Sequence, residues 1–223
     1  MTRWIWAAGL GVLLAVAGWA DETAPVDPAA AICAKTACRA GGNRIAVSTD
    51  QERYTSILVS HSPYVDPNDG TIVIFPGETL VFRLPVADGK IGTPEFVAEY
   101  APEMPMEADP AAPPPPVREL PKLKGGMPVD ILAPFPEGTL IVSYGQRGRS
   151  PMTYLTLVHN LPKTVKLDAL MALIQPHAYD IRPTSTCPLM PKVFSFESWP
   201  HPIGPMLLKN IRYLSEGGGM VCN

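Results

Sequence analysis

Residues 71–84 read Thr-Ile-Val-Ile-Phe-Pro-Gly-Glu-Thr-Leu-Val-Phe-Arg-Leu. The first five form an apolar run rich in β-branched side chains, which pack well on a pleated surface and lose rotamer freedom in a helix. Pro76-Gly77 interrupts the run. Proline presets φ at the first central position of a turn, and glycine accepts the positive φ that a type II turn needs at the second. From Thr79 the chain alternates, with Leu80, Phe82 and Leu84 on one face and Arg83 on the other. Strand, turn, strand is the reading, and it decides for β.

Outward from this stretch the same pattern recurs. Residues 44–48 place Ile45 and Val47 on one face, and residues 54–60 alternate Thr55, Ile57 and Val59. Residues 139–144 align Leu140, Val142 and Tyr144, followed by segments 152–159, 164–169, 193–196 and 208–214. The punctuation is that of turns: Asp66-Pro67-Asn68-Asp69-Gly70, the hairpin signal Asp88-Gly89, and Asn160-Leu161-Pro162. Helix signals reduce to Asp168, which can cap one turn over 169–175 before Pro176, although those residues also continue a strand. Residues 74–81 and 134–141 echo each other, as two similar turns feeding two strands would. The fold expected is mainly β: an antiparallel immunoglobulin-like β-sandwich.

Proline is the compositional outlier, at 27 of 223 residues. Eight of these fall within residues 101–121, including the run Pro113-Pro114-Pro115-Pro116. Proline lacks the N–H and fixes φ, so this segment reads as an extended, solvated loop inserted in one domain. Its removal is expected to leave folding intact. The domain expected spans 44–223, with 21–43 as an N-terminal extension and 101–121 as an insertion.

Arg3 precedes an uncharged apolar stretch from Trp4 to Ala20, with Gly18 and Ala20 offering small groups before Asp21-Glu22. This is the pattern of a secretory signal peptide over residues 1–20. It falls short of the about 20 apolar residues a membrane helix needs, so no stable span is expected after cleavage. A periplasmic or secreted location follows. The four cysteines, Cys33, Cys38, Cys187 and Cys222, are then read as disulfides, each pair within its own segment: Cys33–Cys38 and Cys187–Cys222. The second pair would tie down a tail containing Gly217-Gly218-Gly219. The C-x4-C spacing argues against a thioredoxin-type redox motif.

Charged residues are 17% and the net charge is −3. This excludes a polybasic nucleic-acid binder, and the 46% apolar content excludes a disordered chain. Common nucleophile, zincin, P-loop and dinucleotide motifs are missing. His61 lies between Ser60 and Ser62 near Asp66, an arrangement that ordinary turn chemistry explains. Blue-copper chemistry would need two histidines beside the Cys187/Met190 pair, and His177 and His201 are distant in sequence. Met104 and Met106 offer a looser thioether site for Cu(I). His159 shares a strand face with Leu155 and Leu157 and reads as packed. Trp199 and His201 stand in a proline-stiffened stretch and are the candidate binding surface. The expectation is a non-catalytic exported protein, without cofactor or bound metal, that binds another envelope component, protein or glycan. The alternatives are periplasmic copper handling and a hydrolase whose triad is assembled in space.

Overall fold

A computed structural model describes residues 29–112, 119–175, 178–215 and 217–222. Residues 1–28, Pro113–Pro116 and His177 lie outside the described residues. In chain order the strands are β1 (Cys38–Arg39), β2 (Arg44–Ser48), β3 (Tyr54–Leu58), β4 (Ser62–Pro63), β5 (Ile72–Ile74), β6 (Glu78–Arg83), β7 (Val86–Ala87) and β8 (Lys90–Ile91). They continue with β9 (Glu95–Tyr100), β10 (Glu107–Ala108), β11 (Thr139–Gln146), β12 (Thr153–His159), β13 (Val165–Ile174), β14 (Tyr179–Thr184), β15 (Ser195–Trp199) and β16 (Ile203–Tyr213). Two single-turn helices, α1 (Ala30–Cys33) and α2 (Pro128–Leu132), precede β1 and β11.

The pairings are antiparallel and build two large sheets, β15-β12-β11-β6-β9 and β14-β13-β16-β5. A third, β10-β2-β3, lies with two short ribbons, β1-β4 and β7-β8. Inward side chains of both large sheets form one core. Leu80, Phe82, Leu140, Val142, Tyr144, Leu155 and Leu157 come from the five-stranded sheet. Ile72, Ile74, Val165, Leu167, Ala169, Met206 and Leu208 come from the four-stranded one.

This arrangement gives the decisive turn a role that local sequence does not specify. Phe75 and Glu78 close it by a 3.2 Å backbone hydrogen bond, with Gly77 at φ +86°. Yet β5 and β6 do not pair with each other; the turn carries the chain from one sheet to the other. Asn160-Leu161-Pro162 does the same between β12 and β13. By contrast Asp88-Gly89, both at positive φ, closes the true hairpin β7-β8. The echoing segments end as paired neighbours, with Val81 opposite Ile141.

Asp168 belongs to a strand. Its carboxylate accepts hydrogen bonds from Asn210 Nδ2 (2.8 Å) and Arg212 (3.0 Å) on β16, so it braces a strand pair and caps nothing. The proline-rich stretch is better anchored than composition implied. Ala101 N–H donates to the Pro121 carbonyl at 2.8 Å, which brings its two ends together. Met104 is buried, Met106 Sδ accepts the Gln146 N–H, and β10 pairs with β2. Deleting all of 101–121 would therefore remove core packing and a strand, so folding is not expected to survive it intact.

Both expected disulfides are present, Cys33–Cys38 and Cys187–Cys222. Among the described residues no helix is long and apolar enough to cross a membrane.

Candidate functional site: a groove on the outer face of the five-stranded sheet

A strand facing water on one side alternates apolar and polar residues, but β11 is buried along its whole length. Its inward residues enter the main core. Its outward residues Ile141 and Ser143 lie beside Val81 and Thr79 on β6 and beside Val158 and Thr156 on β12. Covering this outer face are Leu132 and Ile131 of α2, with Tyr100, Leu123, Phe135 and Phe194. Tyr100 and Phe135 meet edge to face at 5.9 Å. Pro128 at the start of α2 loses no hydrogen bond there, because the first N–H groups of a helix have no partner within it.

The cover is incomplete. Between the strap residues 101–103, the segment 122–125, Ile131 and Phe194, a cavity of about 320 Å³ opens onto a floor of Ile141, Ser143, Thr156 and Val158. This is within the volume range of small-ligand pockets. The strap is pinned to the floor: Glu103 N–H donates to Thr79 Oγ1 (3.2 Å), which is bonded to Ser143 Oγ (3.0 Å). Glu103 and Lys122 are exposed and set opposite charges on the lining. The floor is aliphatic with two hydroxyls, so the groove suits an apolar side chain with one or two polar neighbours.

Beside the groove runs β15, which among the described residues pairs only with β12 and is the outermost strand of its sheet. Phe196 on β15 is 66% exposed, and its ring lies 5.7 Å from that of Phe194 in the groove wall. An edge strand of this kind presents unpaired backbone groups to an incoming chain.

The residues singled out by sequence are distributed elsewhere. Trp199 is half-buried on β15, packs at the rim of the main core and donates its indole N–H to Thr184 Oγ1 (2.7 Å). His201 is exposed in a shallow cleft of about 150 Å³ with Leu173, Ile174 and Pro202. Its carbonyl accepts the Thr153 hydroxyl at 2.8 Å. His159 is fully buried, as its strand face suggested. Asp66 accepts from Asn68 within its own turn, and Ser62 Oγ accepts from Arg39. His61 lies instead against the Cys33–Cys38 pair, with its ring nitrogen within 4.8 Å of both sulfurs.

Sequence reasoning missed the groove because its walls come from four distant segments. One signal for it was present: in Thr139 to Tyr144 the second face, Thr139, Ile141 and Ser143, carries no charged side chain, which is compatible with a second covered side. Comparison with protein-family models, with curated proteins and with solved structures finds no match.

Proposed function

We propose that the protein is an exported, non-catalytic immunoglobulin-like β-sandwich that captures another protein of the cell envelope through this groove. In this reading residues 1–20 are a signal peptide, 44–223 form one domain, and 101–121 are a proline-rich loop whose anchored ends wall the site. Two disulfides support an oxidising, extracytoplasmic location.

The observation that carries the reading is the cavity of about 320 Å³ with an aliphatic floor, next to a sheet edge bearing exposed Phe196. An extended partner segment along β15 would gain backbone hydrogen bonds from the edge and place one apolar side chain in the groove. A glycan would call for a dense polar lining, whereas the floor offers only the Ser143 and Thr156 hydroxyls between Ile141 and Val158. Seating one Leu- or Phe-sized anchor is worth about 2 kcal/mol, roughly 30-fold in affinity.

The test is site-specific photocrosslinking from position 123 in the intact envelope, with Thr156→Phe as a variant that fills the groove. A discrete protein adduct is expected with the parent chain and its loss with Thr156→Phe, at unchanged circular dichroism. An adduct indifferent to Thr156→Phe, or retention of the purified chain on cell-wall glycan without a protein adduct, refutes the reading.

A further inference from the structure

Cys33, Cys38 and His61 meet although they lie on three separate pieces of chain. Cys33 ends α1, Cys38 opens β1, and His61 immediately precedes β4. The meeting is built by the β1-β4 pairing, which sets Cys38 opposite Pro63 and Arg39 opposite Ser62. It also depends on Gly41 at φ +70°, where a Cβ would fall 2.1 Å from the His61 backbone nitrogen.

This placement does not depend on the sulfur–sulfur bond. Arg39, 3% exposed, rivets the ribbon to the body of the protein. Its guanidinium donates to both Glu78 oxygens (2.8 and 3.0 Å), to the Pro63 and Val73 carbonyls (3.0 and 2.9 Å) and to Ser62 Oγ (3.2 Å). It also stacks 4.4 Å over the Tyr64 ring. All five donors are spent, so Cys38 and His61 stay in register if the disulfide opens. Only Cys33, on a four-residue helix, must move.

We propose that the Cys33–Cys38 pair with His61 is a reductant-gated site for one thiophilic metal ion, Zn(II) or Cu(I). Oxidised, the pair is a staple. A thiol reductant, 2 RSH, transfers two electrons to it: the S–S bond breaks, two Cys thiols form and RSSR leaves. The ion then takes both sulfurs as thiolates, releasing their two protons, and the neutral imidazole of His61 supplies a nitrogen lone pair. Zn–S bonds of about 2.3 Å and a Zn–N bond of about 2.0 Å require an S···N spacing near 3.5 Å and an S···S spacing near 3.8 Å. The His61 nitrogen already lies within 4.8 Å of both sulfurs, and the sulfurs, bonded at about 2.05 Å in a disulfide, reach the wider spacing only when reduction lets Cys33 swing away from Cys38. Two thiolates and one imidazole are a soft set that selects these ions over Mg²⁺ or Ca²⁺.

The site is remote in sequence from the groove and its test leaves the groove untouched, so either proposal can fail alone. The full chain is titrated with Zn(II), and in a separate anaerobic arm with Cu(I), before and after phosphine reduction, against a chromophoric competitor. Reduced protein is expected to take one ion per chain, and oxidised protein none at this site. His61→Ala should weaken uptake at least about 10-fold, and His61→Cys should restore it by offering a third thiolate. Because phosphine opens both disulfides, two serine pairs are compared after the same reduction: Cys33→Ser/Cys38→Ser should abolish this uptake, and Cys187→Ser/Cys222→Ser should retain it. Failure of the reduced chain to take either ion, uptake equal in the oxidised chain, or uptake indifferent to His61→Ala or to Cys33→Ser/Cys38→Ser overturns the proposal.

Discussion

At the scale of single residues, His159 shows how packing settles a proton. Its ring is fully buried between β12 and the segment bearing Leu189. Leu161 N–H donates to Nδ1 at 3.2 Å, and Nε2 lies 3.0 Å from the Leu189 carbonyl. Nδ1 must therefore accept while Nε2–H donates, which describes one neutral tautomer and excludes the imidazolium. Burial pushes the pKa of His159 below its ordinary value of 6.5, and the hydrogen bond to Leu189 only partly opposes it. The sign follows. Below about pH 6.5 the unfolded chain binds a proton here that the folded chain refuses, so stability is full above that pH and falls as the pH drops toward the folded pKa. The expected slope from this residue is at most about 1.4 kcal/mol per pH unit. Denaturant unfolding between pH 7.5 and pH 5 measures it, and His159→Gln should flatten the slope. An identical pH dependence in His159→Gln would show that the buried ring is not responsible.

Among the elements, turns were the most legible because their chemistry is local. Pro76-Gly77, Asp66–Gly70 and Asp88-Gly89 carry their φ requirements in their own residues. Strands buried on one face were equally plain. Of the strand residues left unmarked, those of β14 and of the first half of β16 break the usual rules for reasons the sequence could not weigh. The edge strand β14 contains Pro183, tolerated because an edge residue need not donate to a ladder. Strand β16 begins inside Ile203-Gly204-Pro205, which reads as loop. There Gly204 lets Tyr179 lie so close that a Cβ would sit 2.6 Å from its ring, and its carbonyl accepts the buried Tyr144 hydroxyl at 2.9 Å. The two echoing turns make a measurable pair. Gly77 and Gly138 stand at φ +86° and +88°, so alanine at either costs about 1–2 kcal/mol in backbone strain. Their surroundings differ. A Cβ on Gly77 meets the flexible Met106 side chain at 2.8 Å, whereas one on Gly138 meets the Leu84 backbone carbonyl at 2.9 Å. Gly138→Ala should therefore be the more destabilising in urea titrations. The reverse order would mean that Met106 is held more rigidly than the Leu84 backbone.

For the whole molecule, the sheets are long-range objects, and no local pattern specifies which strand crosses to which sheet. Covalent closure is the exception, since two cysteines in one segment suggested their own pairing. The C-terminal tail shows what that bond does. Cys187 sits on a firm base: its N–H donates to Glu197 at 2.7 Å, and nearby Leu189 exchanges backbone hydrogen bonds of 2.8 and 2.9 Å with Val165. Beyond Leu214, which donates to the Thr164 carbonyl, the tail has little comparable hold, and Met220 and Val221 are more than half exposed. The link to Cys222 spans a sequence separation of 35, and closing such a loop removes about 4 kcal/mol of unfolded-state entropy in the chain-entropy model. The Cys187→Ser/Cys222→Ser chain should accordingly unfold at lower denaturant, by up to that amount. Limited proteolysis should clip it within 215–219 while the body resists. Cys33→Ser/Cys38→Ser should cost only about 2 kcal/mol, because its loop is short and Arg39 holds the ribbon independently. If the two serine variants lose equal stability, or if the tail of Cys187→Ser/Cys222→Ser resists protease as the parent does, noncovalent packing rather than loop closure fastens the C-terminus.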